Sequence, residues 1–346
     1  MRYIVLKFRN SIFVGRGKNC IFAYIYRNEK QNVKYDKNMS NETLYIIGNG
    51  FDIYHDLPTK FWHFGEYVKK NEPELNYYLE RYFDYKSLWN EFEEVLSKLD
   101  ISEVISDNQE LFPDEESDRT GDLHILGDKA MQIVETLTVG LRKSLRDYLL
   151  QIKHPNPKSL VSLDKNAIFL TFNYTDTLER FYKIDTNRIK YIHNKAKTEK
   201  YIKPDEYYLK DESDIIIGHA VKDKNVTMPK QSNRGIKTAI ACEEAFYVLE
   251  PYYKESFKDT KQIISENQSF FDSLSNVKKV IVFGHSLSNI DMPYFQEISK
   301  KAVNVREWKI TYHGESELSD KEVQTFKFLS KLDNVSFLDS KDELVL

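Results

Sequence analysis

From Thr43 onward the chain alternates short apolar runs with longer stretches of helical spacing. The runs Leu44–Ile47, Ala167–Thr171, Ile189–Ile192, Ile215–Ile217, Val280–Phe283, Trp308–Tyr312 and Val335–Leu338 predict strands. They are short, β-branched or aromatic, and nearly continuous in apolar character, as strands covered on both faces of a parallel sheet are. Helices are predicted at Phe61–Lys70, Glu74–Leu99, Leu123–Ile152, Asn267–Leu274 and Met292–Ala302. In the third of these, Ile133, Leu137, Leu141, Leu145 and Leu149 recur every fourth position, and Pro155 and Pro157 close it. The fold this predicts is α/β: a Rossmann-like, mostly parallel sheet with a large helical insertion, about residues 60–155, between the first and second core strands. The acidic stretch Asp107–Asp122 reads as a solvated connection, and Asn225–Ile236 as a flexible loop of lid type. Residues 1–38 stand apart as a basic extension, with strand patterns at Arg2–Arg9, Ile12–Val14 and Phe22–Tyr26; Met39 is an alternative start, and 39–346 is the main domain.

The ends of the strands carry the candidate chemistry. Gly48-Asn49-Gly50 follows the first strand and Asp52 comes directly after. A strand emptying into Gly-x-Gly is how such folds bring bare backbone N–H groups to a phosphate. Thr171-Phe172-Asn173 follows the second strand, His193-Asn194 the third, Gly218-His219 the fourth and Gly284-His285-Ser286 the fifth. If the strands are parallel, all five ends converge on one crevice. Asp291 reads instead as the start of the Met292–Ala302 helix, and His55 and His63 as packing or surface histidines.

Composition narrows the classes. The net charge of -4 excludes a global basic field of the kind that marks nucleic-acid binding. Two cysteines, Cys20 and Cys242, are too few for a thiolate zinc cluster or a disulfide framework, so no metal is expected and a cytoplasmic setting is. No apolar run is long enough to span a bilayer, so no membrane is expected.

Four segments in order are similar to the sirtuin pattern. Gly48-Asn49-Gly50-Phe51-Asp52 followed by Leu57-Pro58-Thr59-Lys60-Phe61 resembles the cofactor loop Gly-Ala-Gly-Ile-Ser, then Gly-Ile-Pro-x-Phe. Thr171-Phe172-Asn173-Tyr174-Thr175 resembles Thr-Gln-Asn-Ile-Asp, Tyr191-Ile192-His193-Asn194 the Leu-His-Gly segment, and Gly284-His285-Ser286-Leu287 the late Gly-Thr-Ser-Leu turn. Asn49, Asp52, Thr175 and Asn194 depart from that pattern, and the four-cysteine zinc module is missing. From about Thr43 to the C-terminus the chain more closely resembles the AbiH family of bacterial phage abortive-infection proteins. LYIIGNGFDIYHDLPT, FLTFNYTDTLE and VIVFGHSLSNIDMPYF carry that resemblance. It implies phage defence by aborting infection, and a trigger supplied by the phage.

The two resemblances together imply NAD consumption without an acyl-lysine substrate. Asn173 and His193 are then the catalytic candidates: the amide holds the ribose or places water, and the imidazole acts as general base. Gly48, Asn49, Gly50, Phe51, Asp52, Thr171, Gly284, His285 and Ser286 are the candidate cofactor-binding residues, with NAD as substrate and a homo-oligomer as an open possibility. Two alternatives stand. The domain binds a nucleotide as a signal and acts through a partner, or Ser286 is the nucleophile of a serine hydrolase with Asp291 and His313.

Overall fold

The computed structural model describes residues 4–8, 11–16, 19–24, 42–155, 160–198, 215–222, 226–228, 235–329 and 334–340. Within the basic extension, β1 (Ile4–Phe8), β2 (Ser11–Arg16) and β3 (Asn19–Tyr24) form an antiparallel three-stranded sheet. Met39 lies outside the described residues, and so does most of the expected lid at Asn225–Ile236.

The main sheet contains β4 (Thr43–Ile47), β5 (Ile168–Thr171), β6 (Ile189–Tyr191), β7 (Lys279–Phe283), β8 (Glu307–Tyr312) and β9 (Val335–Asp339). All pairings are parallel, in the order β6-β5-β4-β7-β8-β9. The protein is thus α/β with a Rossmann-like, doubly wound sheet. Its apolar runs are continuous because both faces are covered. Leu44 and Ile46 of β4, Ile168 and Leu170 of β5, and Val280 and Val282 of β7 enter one core. Tyr45, Ile47, Phe169, Ile281 and Phe283 enter the core on the other face.

The chain leaves β4, winds outward through β5 and β6, then returns to the far side of β4 as β7. The switch point therefore lies between β4 and β7, whose register pairs Ile47 with Phe283. Ligands of such sheets bind outside the carboxyl ends of the strands at that point.

The connection from β4 to β5 is the helical insertion, whose apolar side chains form a third core together with residues 215–253 of the connection from β6 to β7. Phe61–Asn71 and the near-continuous run Ile125–Glu135, one wider π-type turn Thr136–Gly140, and Leu141–Gln151 match expectation. Glu74–Leu99 does not form one helix. Pro73–Tyr82 ends at Phe83, whose backbone is extended. Asp84 then accepts from Lys86 N and Ser87 Oγ, and that local turn competes with helix continuation.

Ile215–Ile217 is not a strand either. Ile215 and Ile217 plug the helical core, while Ile216 N donates to His193 O and Tyr174 Oη donates to Ile216 O. His219 makes only an isolated bridge with Phe257, so the expected fourth strand end does not join the sheet. The acidic stretch Asp107–Asp122 is more than a solvated connection. Glu115 accepts from Lys237 N and Thr238 N, in the first turn of a helix, Ile236–Leu249, that the periodicity missed. Among the described residues no helix is long and apolar enough to cross a membrane.

Candidate functional site

At the switch point two turns interlock. Gly48 N donates to Phe283 O (2.9 Å) and Gly50 N to Gly284 O (2.7 Å), while Phe51 N donates to Gly48 O. A Cβ on Gly48 would lie 2.5 Å from His285 Cα, and one on Gly50 2.7 Å from Gly284 Cα. Gly284 itself has φ +68° and presses on the Gly50–Phe51 peptide. The glycines of the motif thus let backbone meet backbone. Of the expected phosphate cradle of Gly48, Asn49 and Gly50, the N–H groups of Gly48 and Gly50 are engaged within the protein.

Beside the interlock is a cavity of about 740 Å³. Gly48, Asn49, Gly50 and Asp52 line it from the β4 turn, and Asn173, Tyr174 and Thr175 from the end of β5. His193 enters from β6, and Gly284, His285, Ser286 and Asp291 from beyond β7. Two of the expected site residues do not reach it. Phe51 is wholly buried in the sheet core, edge-on to Phe283 at 5.1 Å, and Thr171 uses Oγ1 to accept from Asn173 N.

Asp52 is 1% exposed. Thr175 Oγ1 donates to its Oδ2 and Thr177 Oγ1 to its Oδ1, each at 2.6 Å. Burial raises its pKa to about 6, against the opposing pull of the two hydroxyls and the nearby Asn173 amide. Thr175 and Thr177, from the end of β5 and the helix after it, thus hold the aspartate that follows β4. The next residue, Asp176, faces away to a two-pronged pair with Arg180.

Asn173 is buried, and its Nδ2 has no hydrogen-bond partner among the described residues. His193 is buried too. Its ring bonds to the Phe172 carbonyl, while Nε2 has no hydrogen-bond partner and lies 3.9 Å from Asp291 Oδ1. The proton therefore belongs on Nδ1 and the lone pair on Nε2. Asn194 follows at φ +64°, a left-handed conformation that asparagine tolerates.

His285 takes the opposite tautomer. Its Nδ1 accepts from Leu287 N (2.9 Å), which turns Nε2–H toward Asp291 Oδ2 at 3.5 Å. Burial lowers the pKa of both histidines, that of His193 well below its ordinary value, with the Lys258 charge adding to the effect. His193 is therefore a neutral, weak base at physiological pH, not one poised near 6.5.

Sequence reasoning missed two of the charged residues here and misassigned a third. Asp291 occupies the N-cap position of the helix Met292–Lys301 but makes no capping hydrogen bond. Its Oδ1 lies 3.0 Å from Lys258 Nζ, which lies 3.0 Å from Glu93 Oε1. Glu93 comes from the helical insertion and Lys258 from the turn before Thr260–Glu266. No local signal marks either residue, since their partners are scattered along the chain. Ser286 is exposed, and the hydroxyl that meets Asp291 belongs to Ser288 (3.3 Å). His313 instead faces Ser340, so the alternative triad of Ser286, Asp291 and His313 does not assemble.

Fold and cavity together define a doubly wound α/β protein with a cavity at its switch point into which several polar side chains converge. The family profile for bacteriophage abortive infection AbiH matches residues 44–312, and the chain belongs to that family of phage abortive-infection proteins. Comparison with curated proteins gave no match, and comparison with solved structures gave none.

Proposed function

We propose that this cavity binds NAD and hydrolyses its nicotinamide–ribose bond, as the sirtuin-like order of motifs implies, and that NAD loss aborts infection. One observation carries the reading: His193 Nε2 stands without a hydrogen-bond partner, with the Asn173 amide beside Asp52, at the switch-point cavity where a substrate can engage both. Buried polar atoms without partners are costly, and a bound ligand relieves that cost.

The charge layout orients the substrate. Asp52, Glu93 and Asp291 line the cavity, and the transition state for losing nicotinamide develops positive charge on the ribose. The nicotinamide riboside therefore points toward these carboxylates. The pyrophosphate lies toward the exposed rim, where Lys60 and the Ser286 hydroxyl take over the role expected of the glycine N–H groups.

In the reaction the C1′–N bond breaks, nicotinamide leaves as a neutral base, and water oxygen bonds to C1′. His193 Nε2 takes the water proton and passes it to solvent. A weak base suffices, because the oxocarbenium-like centre makes the water acidic late in the step.

Purified full-length chain incubated with NAD is expected to release free nicotinamide. Release should be lost in His193→Ala and Asn173→Ala, with their thermal midpoints kept close to wild type. Equal release by both variants overturns the assignment. NAD retained without cleavage moves the reading to the nucleotide-sensing alternative. Cellular NAD measured during phage infection, wild type against His193→Ala, covers the case in which a phage-derived trigger is required.

A further inference from the structure

Three segments distant in sequence place charges behind the two histidines. Glu93 comes from the insertion, Lys258 from the turn before Thr260, and Asp291 from the first turn beyond β7. The Lys258 side chain is 0% exposed. Burying an ammonium between two carboxylates is a poor way to gain stability, since apolar residues of the same volume commonly do as well or better. Asp291 also forgoes the capping bond that its position invites. Its carboxylate instead reaches both imidazoles, at 3.9 Å from His193 Nε2 and 3.5 Å from His285 Nε2.

We propose that Lys258 is a positioning residue for the NAD reaction: seated between Glu93 and Asp291, it pins the Asp291 carboxylate against the two imidazoles and keeps His193 Nε2 an open lone pair aimed at the cavity. The inference rests on the reading of His193 as the base.

The other groups facing His193 do not substitute for Lys258. Tyr174 and Tyr294 stand near the ring, and burial keeps both phenols protonated. His285 already donates toward Asp291, and Glu93 opposes Lys258 rather than reinforcing it. Without Lys258, the negative charge of Asp291 faces His193 uncompensated. The ring then protonates toward Asp291, and the lone pair is lost.

The test is the titration of ring-labelled His193 by NMR in the full chain, beside nicotinamide release against pH. In wild type the ring is expected to stay neutral, with the proton on Nδ1, from pH 7 down to pH 5. In Lys258→Met it should protonate within that range. Release should fall about tenfold or more in kcat with KM little changed, and its acidic limb should move to higher pH. Lys258→Gln removes the charge while keeping a polar contact, and serves if the methionine variant does not fold. A wild-type His193 that titrates near 6.5, or a variant ring that titrates as wild type does, overturns the proposal. The NMR readout needs no turnover, so it decides this inference even if wild type releases no nicotinamide.

Discussion

Asp52 and Asp291 are both buried aspartates on the wall of one cavity, and their surroundings drive them in opposite directions. Asp52 is held by two threonine hydroxyls and faces no cation within salt-bridge distance among the described residues, so burial dominates and its pKa rises to about 6. Asp291 is buried too, but the Lys258 charge and the His285 N–H outweigh the desolvation and hold it below the ordinary carboxylate range. Hydroxyls relieve a buried carboxylate only in part, whereas a charge at 3 Å fixes its state. One side of the cavity is thus titratable near neutrality and the other is locked.

The contrast breaks most readily at the locked side. His193→Ala is expected to cost on the order of 100- to 10,000-fold in nicotinamide release, the usual range for losing a general base. A loss of similar size on Asp52→Asn, with His193→Ala nearly silent, would place the chemistry on the wrong wall.

Stability gives the next effect. Asp291→Ala leaves Lys258 with Glu93 as its remaining carboxylate, so the loss expected in denaturant unfolding is smaller than that of a fully stranded buried charge, about 3–5 kcal/mol. Because its pKa is depressed, the carboxylate contributes stability above its unfolded pKa and loses it only as pH falls through the folded value. The Asp291→Ala deficit should therefore be flat from pH 5 to 8.

Asp52 has the opposite sign. A raised pKa favours the protonated form in the folded state, so its contribution is fully present below pH 3.8 and is lost as pH rises through about 6. Above that, ionisation costs about 3 kcal/mol, from roughly two pKa units at 1.36 kcal/mol each. Asp52→Asn should then raise the thermal midpoint at pH 8, with the gain shrinking toward pH 5. A gain independent of pH would remove the assigned cause. The smallest effect expected is that of Ser286→Ala: within a few-fold in release, read mainly in KM, and no loss of turnover of the size that removing a nucleophile causes.

The same pair shows where the sequence is legible. Asp52 lies four residues past Gly48, and Thr175 and Thr177 lie just past the next strand, so sheet order alone brings them together. Asp291 meets residues 193, 258 and 285, and residue 93 through Lys258, and only the folded insertion and a helix turn assemble them. The strands were readable because two-faced burial leaves an unbroken apolar run. That signal misled at Ile215–Ile217, where an apolar triplet fills a helical core equally well. The helix Ile236–Leu249 escaped notice because apolar residues fall on its buried side (Ala241, Cys242, Ala245) and on its outer side (Ile236, Ile240, Tyr247), which blurs the stripe.

The clasp between Gly48, Gly50 and Gly284 also decides which wall can give way. Prising the cavity apart along the sheet would tear the Gly48–Phe283 and Gly50–Gly284 backbone bonds and open the packed layer beneath Phe51. The helical wall is joined to the site by side chains instead: Glu93 pairs with Lys258, and Tyr252 Oη and Tyr253 Oη donate to Leu96 O and Leu99 O. The strand-end side of the cavity is therefore its fixed jaw.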